Sequence, residues 1–283
     1  MSSGSFDGIA NKFDQNIYGT TKGRLRHELL LHHLKDVLNS NRKLSVLDVG
    51  GGTGVMSAEF AKRGHDVVIA DISDEALDIA KQRLAAYSNV VYTNLDVAHM
   101  ACPNTAEQGK SEQGASAQNS SVDRPDNSII KHFDVIICHA LLEWLPQPLT
   151  VLSTLLEQLK PKGIFSLSFF NQDAMLFNNA LYGNFDYIEK GMKVRNVVRL
   201  NPHNPQSPKT VLAHLDALDE YTVELTAGLR CFHDYMRKPE MQNSHYPQLL
   251  ALEKQYGASE PYKWLGKYFY IQLSRSTSKT TKM

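Results

Sequence analysis

The stretch LSVLDVGGGTG (residues 44–54) decides the fold of this 283-residue chain. Its first part, up to Val49, is a run of aliphatic and β-branched residues that predicts a buried strand. The four glycines that follow let the backbone pass close to a ligand, because no Cβ stands in the way. A helical pattern, VMSAEFAKRG, comes next. The stretch therefore predicts a strand, a ligand-binding turn and a helix in succession.

Outward from this turn, short apolar runs alternate with helical patterns. Further strands are predicted at 65–73, 90–97, 133–142 and 163–170. The segment QPLTVLSTLLEQLKPKG (147–163) predicts a helix, and its Lys-Pro-Lys-Gly end is typical of a helix stop. Apolar strands that alternate with helices are typical of a parallel sheet covered on both faces. The predicted fold class is therefore α/β, with a doubly wound sheet.

The C-terminal third adds to this parallel core. TVLAHLDAL (210–218) predicts a helix, TVELTAGLRCFHDY (222–235) and LGKYFYIQLSR (265–275) predict strands, and another helix is expected between them at about 241–256. Two closing strands after five parallel ones favour a hairpin-like end. We therefore expect a seven-stranded sheet with an antiparallel C-terminal edge strand.

Composition shifts divide the chain into one main domain with additions. We expect an N-terminal helical lid at 1–40, a main domain at 41–275 and a flexible tail at 276–283. Residues 101–130 are rich in Ser, Asn, Gln, Ala and Gly, which predicts a disordered surface insertion. A surface loop without a function of its own is favoured there over a lid or an arm that binds a partner. Residues 171–210 are aromatic and basic, and they are expected to form a cover over the substrate.

The overall composition bounds the class of protein. Hydrophobic residues make up 42% and charged residues 21%, and Lys+Arg and Asp+Glu are both 30, so mean charge does not reveal a polyanionic partner. Three widely spaced cysteines, Cys102, Cys138 and Cys231, do not form a disulfide framework or a four-thiolate metal site. The N-terminal residues lack a signal-peptide pattern, and no apolar window is long enough to span a membrane. We expect a cytoplasmic protein with no metal and no membrane partner.

The glycine turn indicates which ligand the sheet binds. A dinucleotide fingerprint needs G-x-G-x-x-G, and its third glycine would fall on Val55 or Ser57. The pattern is instead D-x-G-x-G-x-G, which resembles motif I of the class I S-adenosylmethionine-dependent methyltransferases. Asp71 ends the second predicted strand, where a carboxylate can accept both ribose hydroxyls of a bound adenosine. A sulfonium methyl donor is therefore favoured over NAD.

Two further strand ends offer polar groups at the same edge of the sheet. Asp96 and Val97 end the third predicted strand, and His139 ends the fourth. In open α/β sheets the ligand binds in the crevice at the carboxyl ends of the strands. These residues are therefore candidate neighbours of the cofactor.

Five segments together resemble one family, the tRNA 5-carboxymethoxyuridine methyltransferases. They are FDGIANKFDQNIYGTTKGRLR (6–26), LDVGGGTG (47–54), HALLEW (139–144), GNFDYIEKGM (183–192) and RCFHDY (230–235). The resemblance implies the Rossmann-like seven-stranded sheet of class I methyltransferases. It also implies methyl transfer from S-adenosylmethionine to the carboxylate of 5-carboxymethoxyuridine at the tRNA wobble position. The implied partner is the tRNA anticodon region, and no obligate protein partner is inferred.

The resemblance also implies the cofactor residues. Arg26 would contact the methionine moiety, Asp71 the ribose, and Asp96 the adenine side through its main chain. The complete expected cofactor set is Arg26, Gly50, Gly51, Gly52, Asp71, Ile72, Asp96, Val97 and His139.

The chemistry of this reaction sets what the substrate side must supply. A carboxylic acid is already ionised at neutral pH, so no general base is required. The acceptor needs positioning, shielding from water and a cation to orient its carboxylate. Candidate cations are Lys22, Arg24, Arg195, Arg199 and Arg230. Candidate substrate-binding residues are Lys193 and three tyrosines, Tyr18, Tyr187 and Tyr235, whose rings can stack on a splayed base.

Other interpretations of the basic run and of the whole chain remain open. A basic run such as that from Lys190 to Lys209 is often only a solvated face. The chain can instead be a methyltransferase for an acidic small molecule, which the basic cover would bind. It can also be a non-catalytic cofactor-binding protein that works through a protein partner. An NAD enzyme is the least favoured alternative.

Overall fold

A computed structural model describes Gly8 and residues 19–101, 132–192 and 202–277. Nearly all of the predicted insertion at 101–130 and most of the predicted tail at 276–283 lie outside the described residues. The same holds for four candidate residues, Tyr18, Lys193, Arg195 and Arg199.

Seven strands form one mixed sheet in the order β3-β2-β1-β4-β5-β7-β6. They are β1 Ser45–Val49, β2 Asp66–Asp71, β3 Val90–Asn94, β4 Phe133–His139, β5 Leu159–Phe170, β6 Tyr221–Leu229 and β7 Tyr268–Arg275. Strands β1 to β5 are parallel, and β7 runs antiparallel to both β5 and β6. The predicted α/β class and the seven-stranded sheet are confirmed.

The position of the antiparallel strand differs from the expectation. β7 lies between β5 and β6, so it is the second strand from the edge, and β6 is the outermost strand. The burial of the two strands gives the reason. Phe269, Tyr270 and Ile271 of β7 are fully buried, whereas Thr222, Val223 and Glu224 of β6 are exposed. The more apolar strand occupies the interior position, where neighbours cover both of its edges.

Helices cover both faces of the sheet. They are α1 Thr21–His33, α2 Lys35–Leu38, α3 Val55–Ala61, α4 Asp74–Arg83, α5 Pro148–Glu157, α6 Gln172–Leu181, α7 Phe185–Glu189, α8 Pro208–Asp216, α9 Met241–Ser244 and α10 Tyr246–Tyr256. Side-chain caps begin three of them: the side chains of Thr20, Ser73 and Asn171 accept backbone N–H groups of α1, α4 and α6. Proline in the first turn begins α5, α8 and α10.

The helix predicted at 147–163 is shorter than expected. α5 ends at Glu157, and the Lys-Pro-Lys-Gly segment belongs to the start of β5. Leu159 pairs with Phe133 of β4, and the ammonium group of Lys160 lies 3.0 Å from the Asp134 carboxylate. Long-range pairing with β4 therefore continues the chain as a strand directly after the helix. The strands predicted at 133–142 and 222–235 likewise end earlier, at His139 and Leu229.

Two apolar layers hold the helices on the sheet. On one face Leu25 and Leu29 of α1 are buried against the sheet together with Phe60 of α3. On the other face the buried residues of α5, such as Leu152 and Leu155, pack in a second cluster. Burial of this kind stabilises by about 25 cal/mol for each Å² of apolar surface. α1 is thereby held next to the carboxyl end of β1.

The topology brings several chain segments to one edge of the sheet. The carboxyl ends of β1, β2, β4, β5 and β6 meet there, together with the amino end of the antiparallel β7. In the described part of the chain, no helix has both the length and the apolar character needed to cross a membrane.

Candidate cofactor and substrate site

The glycine turn after β1 is bonded to the end of β2. The N–H group of Gly50 donates to the Ala70 carbonyl at 2.8 Å. A Cβ atom at Gly51 would lie 2.8 Å from Ile69 and 3.0 Å from the Asp48 carboxyl carbon, so only glycine fits there. Gly52 has a φ of +53°, and a Cβ atom there would meet nothing within 4 Å. The turn is therefore closely packed beneath Gly51 and open above Gly52.

Asp71 fastens this turn to the second strand. Its carboxylate accepts the N–H of Gly52 at 2.8 Å on Oδ2 and the N–H of Ser73 at 2.9 Å on Oδ1. A carboxylate oxygen has more than one lone pair and can accept more than one hydrogen bond. The geometry places Asp71 beside the glycine turn at the carboxyl end of β2.

A pocket opens between the turn and α1. It is lined by Arg26, His27, Leu30, Asp48, Gly50, Gly51, Met56 and His139. The structure thus brings together four of the predicted cofactor residues: Arg26, Gly50, Gly51 and His139. The pocket contains a cation from α1 and a carboxylate from β1.

The protonation of His139 follows from a chain of hydrogen bonds. Tyr270 donates to the Gln272 side-chain carbonyl at 3.2 Å, and Ser166 donates to Tyr270 at 3.1 Å. The Ser166 hydroxyl lies 2.8 Å from His139 Nε2 and has already used its proton, so Nε2 must be the donor. Nδ1 of His139 is then an acceptor, and it is buried without a partner among the described residues. Burial lowers the pKa of His139 to about 3, and the charge of Arg26 adds to this effect.

Two buried carboxyl groups follow or belong to the strands at this end of the sheet, and of the two only Asp48 lines the pocket. Asp48 accepts a hydrogen bond of 2.6 Å from Ser57, and burial raises the pKa of Asp48 to about 6. Glu143 is 1% exposed, and burial raises the pKa of Glu143 to about 7, although backbone donors and the charge of Arg26 act in the opposite direction. One oxygen of Glu143 has no hydrogen-bond partner in the described structure. Sequence analysis missed Glu143, and its signal was an acid inside the apolar run LLEWL.

The remaining predicted cofactor residues lie along the ends of β2 and β3. The Asp96 carboxylate accepts the N–H of Ala98 at 3.0 Å and so caps the short 3-10 helix Val97–Ala101. Val97 is buried, and Ile72 is partly exposed next to Asp71. None of these three lines the pocket beside α1, and all three lie at the carboxyl edge of the sheet.

Two of the predicted cations are already paired with acids. Arg24 lies 2.7 Å from Glu28 and stacks over the ring of Tyr246, whose centre is 4.3 Å away. Arg230 is 7% exposed, and its Nε donates to Asp234 at 2.7 Å while a second guanidinium nitrogen bonds the other oxygen. Lys22 is exposed at the start of α1. None of these cations lines the pocket beside α1.

The two described substrate-binding candidates have different surroundings. The Tyr235 hydroxyl donates to the Leu265 carbonyl at 2.8 Å, and its ring packs edge-on against Phe177. Tyr187 is partly exposed in α7. Tyr268, which sequence analysis did not single out, lies closer to the pocket: the guanidinium carbon of Arg26 is 4.9 Å from the centre of its ring. The described residues contain no group of three or more His, Cys, Asp or Glu side chains arranged to hold a metal.

Comparisons with known proteins agree with this geometry. A family model described as a methyltransferase domain matches residues 23–206. The tRNA 5-carboxymethoxyuridine methyltransferase of Escherichia coli K12 is 38% identical over 281 residues, which are 99% of each chain. The ubiquinone biosynthesis O-methyltransferase of Nitrosomonas europaea is 27% identical over 55% of this chain and 56% of that protein.

Solved structures share the fold at low sequence identity. Magnesium protoporphyrin IX methyltransferase from Synechocystis PCC 6803, solved with bound S-adenosylhomocysteine, superposes with a TM-score of 0.54 over 96% of both chains. Its sequence is 16% identical, so the likeness concerns the fold alone.

Proposed function

Because this chain belongs to the tRNA 5-carboxymethoxyuridine methyltransferase family, we propose that it methylates the carboxylate of 5-carboxymethoxyuridine at the wobble position of tRNA. The methyl donor is S-adenosylmethionine, and the products are the methyl ester and S-adenosylhomocysteine. The observation that carries the proposal is 38% identity over 99% of both chains to the E. coli enzyme of that name. The partner is the tRNA anticodon region, and the reaction takes place in the cytoplasm.

The charges of the pocket fit the amino-acid end of the cofactor. A methionine tail carries a carboxylate and an ammonium group, and the pocket offers Arg26 for the first and Asp48 for the second. Bound there, the ammonium group would also favour the ionised form of Asp48. Asp71 would hold the ribose hydroxyls, and Ile72, Asp96 and Val97 would line the adenine. Gly50, Gly51 and Gly52 would let the cofactor approach the backbone.

His139 contributes an acceptor without a charge. Its pKa of about 3 keeps the ring neutral at neutral pH, so it does not repel a positively charged sulfur nearby. Its Nδ1 lone pair is available to an N–H group of the cofactor. Ser166 and Tyr270 hold the ring in this tautomer.

S-Adenosylmethionine supplies an electrophilic methyl group when it is bound. The acceptor carboxylate is ionised at neutral pH, so the chain does not have to remove a proton. An oxygen of the substrate forms the new C–O bond as the C–S bond breaks, and the electron pair of that bond remains on sulfur. The residues of the chain therefore act by positioning the carboxylate and excluding water.

The candidates for positioning the substrate remain part of the proposal. Lys22, Arg24, Arg195, Arg199 and Arg230 would orient the carboxylate, and Tyr18, Lys193, Tyr187 and Tyr235 would bind the nucleotide. Segment 1–40 would act as a lid and segment 171–210 as a cover. The ion pairs of Arg24 and Arg230 leave these two side chains with less attraction for a new anion than an unpaired cation has.

The experiment that tests the function is transfer of labelled methyl groups to tRNA, followed by nucleoside mass analysis. One tRNA preparation contains 5-carboxymethoxyuridine and the other lacks it. A methyl ester that forms only in the first preparation supports the proposal. Transfer to neither preparation, despite tight cofactor binding, contradicts it and favours an acidic small molecule or a non-catalytic role.

A further inference from the structure

Lys267 lies at the same end of the strands as the candidate site. It immediately precedes β7, whose first residue Tyr268 pairs with Phe170 at the end of β5 and with Leu229 at the end of β6. β7 is antiparallel to both neighbours, so its beginning meets their carboxyl ends. Lys267 is therefore placed at the crevice of the sheet by topology, and sequence analysis did not single it out.

The backbone of Lys267 is held from two sides. Its carbonyl accepts the N–H of Asn171 at 3.1 Å, and its own N–H donates to the Arg230 carbonyl at 3.4 Å. The Lys267 ammonium nitrogen lies 4.9 Å from the centre of the Phe170 ring. This distance is within the range of a cation–π contact. The side chain is thus partly buried and rests on an aromatic face.

The charge of Lys267 has no ion-pair partner among the described residues. Asp234 is the acid that acts on it, and both oxygens of Asp234 already accept hydrogen bonds from Arg230. Burial lowers the pKa of Lys267, Asp234 opposes this effect, and the charges of Arg230 and Lys22 lower the pKa further. Lys267 thus feels the positive charges of Arg230 and Lys22 and the negative charge of Asp234, so positive charge is in excess around it and an anionic ligand would reduce this excess.

Arg230 is fixed within the same cluster. Its guanidinium carbon is 6.0 Å from the centre of the Tyr268 ring, on which Arg26 also stacks at 4.9 Å. Arg26 in turn lines the cofactor pocket beside Gly50 and His139. A continuous series of contacts therefore links the surroundings of Lys267 to the pocket.

We propose that Lys267 is the ammonium group that receives the substrate carboxylate, and that Arg230, held by Asp234, is a positioning residue beside it. This inference rests on the proposed function. An ammonium group is a point charge that can bind one carboxylate oxygen and leave the other free to form the C–O bond. As that bond forms and the C–S bond breaks, the carboxylate loses its negative charge. The ester product is then held less tightly than the acid substrate.

The test compares the affinities of two tRNAs, with and without 5-carboxymethoxyuridine, for four proteins. These are the wild type, Lys267→Met, Lys267→Arg and Lys162→Met. Lys162 is a matched control because it is an exposed lysine at the opposite end of β5. Loss of a charge-assisted hydrogen bond should reduce the preference for the modified tRNA by about ten- to a hundredfold in Lys267→Met. Lys267→Arg should retain most of the preference, and Lys162→Met all of it.

Steady-state kinetics give a second readout. In Lys267→Met the KM for modified tRNA should rise by a larger factor than kcat falls, because the contact weakens as the carboxylate loses its charge. Binding of S-adenosylhomocysteine to the variant shows that it is folded. A Lys267→Met protein that keeps the wild-type preference and KM overturns the proposal. If the wild-type protein neither prefers nor methylates the modified tRNA, the proposed function itself fails, and this outcome is distinct from the first.

Discussion

The Nε2 atom of His139 and the hydroxyl oxygen of Ser166 lie 2.8 Å apart, and this contact determines which nitrogen of the histidine carries the proton. Ser166 donates to Tyr270, and Tyr270 donates to Gln272, whose side-chain oxygen is only an acceptor. With these two hydrogen bonds running in this direction, Nε2 of His139 is the donor to Ser166. Tyr270 in β7 thus influences which nitrogen of His139, at the end of β4, carries the proton.

The first prediction concerns Tyr270→Phe. The substitution keeps the buried ring and removes the acceptor for Ser166, which can then donate to His139 Nε2 and move the ring proton to Nδ1. We expect the affinity for S-adenosylhomocysteine to fall by about three- to tenfold, which corresponds to one hydrogen bond. Titration calorimetry measures this change. Tyr221→Phe, on the outermost strand, is the control, and an unchanged affinity in Tyr270→Phe would contradict the assignment of the tautomer.

The second prediction concerns the pH dependence of stability. Burial raises the pKa of Glu143 from 4.5 to about 7, so the ligand-free folded protein keeps a proton that the unfolded chain releases. The unfolded state therefore binds fewer protons between about pH 4.5 and 7, and stability falls as the pH rises through this range. Glu143→Gln removes this titration. Relative to wild type, the variant should gain up to about 3 kcal/mol in free energy of unfolding between pH 4.5 and 8.

Urea unfolding of both proteins at several pH values measures this difference. Glu59→Gln is a matched control, because Glu59 is a partly exposed acid whose pKa is lowered by Lys62 and Arg63 despite some burial. A Glu143→Gln curve that runs parallel to the wild-type curve over this pH range would contradict a raised pKa for Glu143.

The third prediction separates two glycines of the turn. In Gly51→Ala the new Cβ would lie 2.8 Å from Ile69, so we expect the variant to lose about 1–3 kcal/mol of stability through overpacking. In Gly52→Ala the new Cβ enters open space. The positive φ of residue 52 should then cost only about 1–2 kcal/mol of stability. Because that space is the proposed cofactor site, Gly52→Ala should reduce the affinity for S-adenosylhomocysteine by a larger factor than its stability loss explains. Thermal unfolding with and without ligand measures both effects, and a wild-type affinity in Gly52→Ala would argue against this placement.

The fourth prediction distinguishes the two arginine ion pairs. Arg24 is 64% exposed in its pair with Glu28, so Arg24→Met should change stability far less than the loss of a buried pair does. Arg230 and Asp234 form a largely buried pair, and Arg230→Met should cost about 3–5 kcal/mol because only the His233 ring would remain beside the Asp234 carboxylate. Denaturant unfolding measures both variants. Equal losses of stability in the two variants would contradict the expectation that the more buried ion pair contributes more to stability.

Much of the fold was accessible from sequence because its signals are local. An apolar run followed by Gly50, Gly51 and Gly52 predicts a strand and a tight turn wherever it occurs. The placement of Asp71 after the second strand follows as well, because the carboxyl ends of parallel strands meet at one edge. The family resemblance implied that Arg26 contacts the cofactor. The packing of α1 beside the glycine turn, in contrast, depends on tertiary contacts.

Other features depended on contacts between distant parts of the chain. Nothing local in LGKYFYIQLSR indicates that β7 enters between β5 and β6, since that position depends on which strand is buried on both of its edges. The Lys-Pro-Lys-Gly segment extends β5 because Phe133 and Asp134, far away in sequence, pair with it. The pairing of Arg230 with Asp234 also could not be assigned from composition, although the residues are four apart.

The sequence by itself determined the order of the seven strands along the chain, the glycine turn and the family to which the chain belongs. Only the tertiary structure decided that Glu143 is a buried acid, that His139 carries its proton on Nε2 and that Lys267 forms no ion pair with an acid in the described structure. The physical reason is that strand and turn preferences arise from neighbouring residues. The charge state of a side chain instead depends on how far it is removed from water and on which groups the fold places around it.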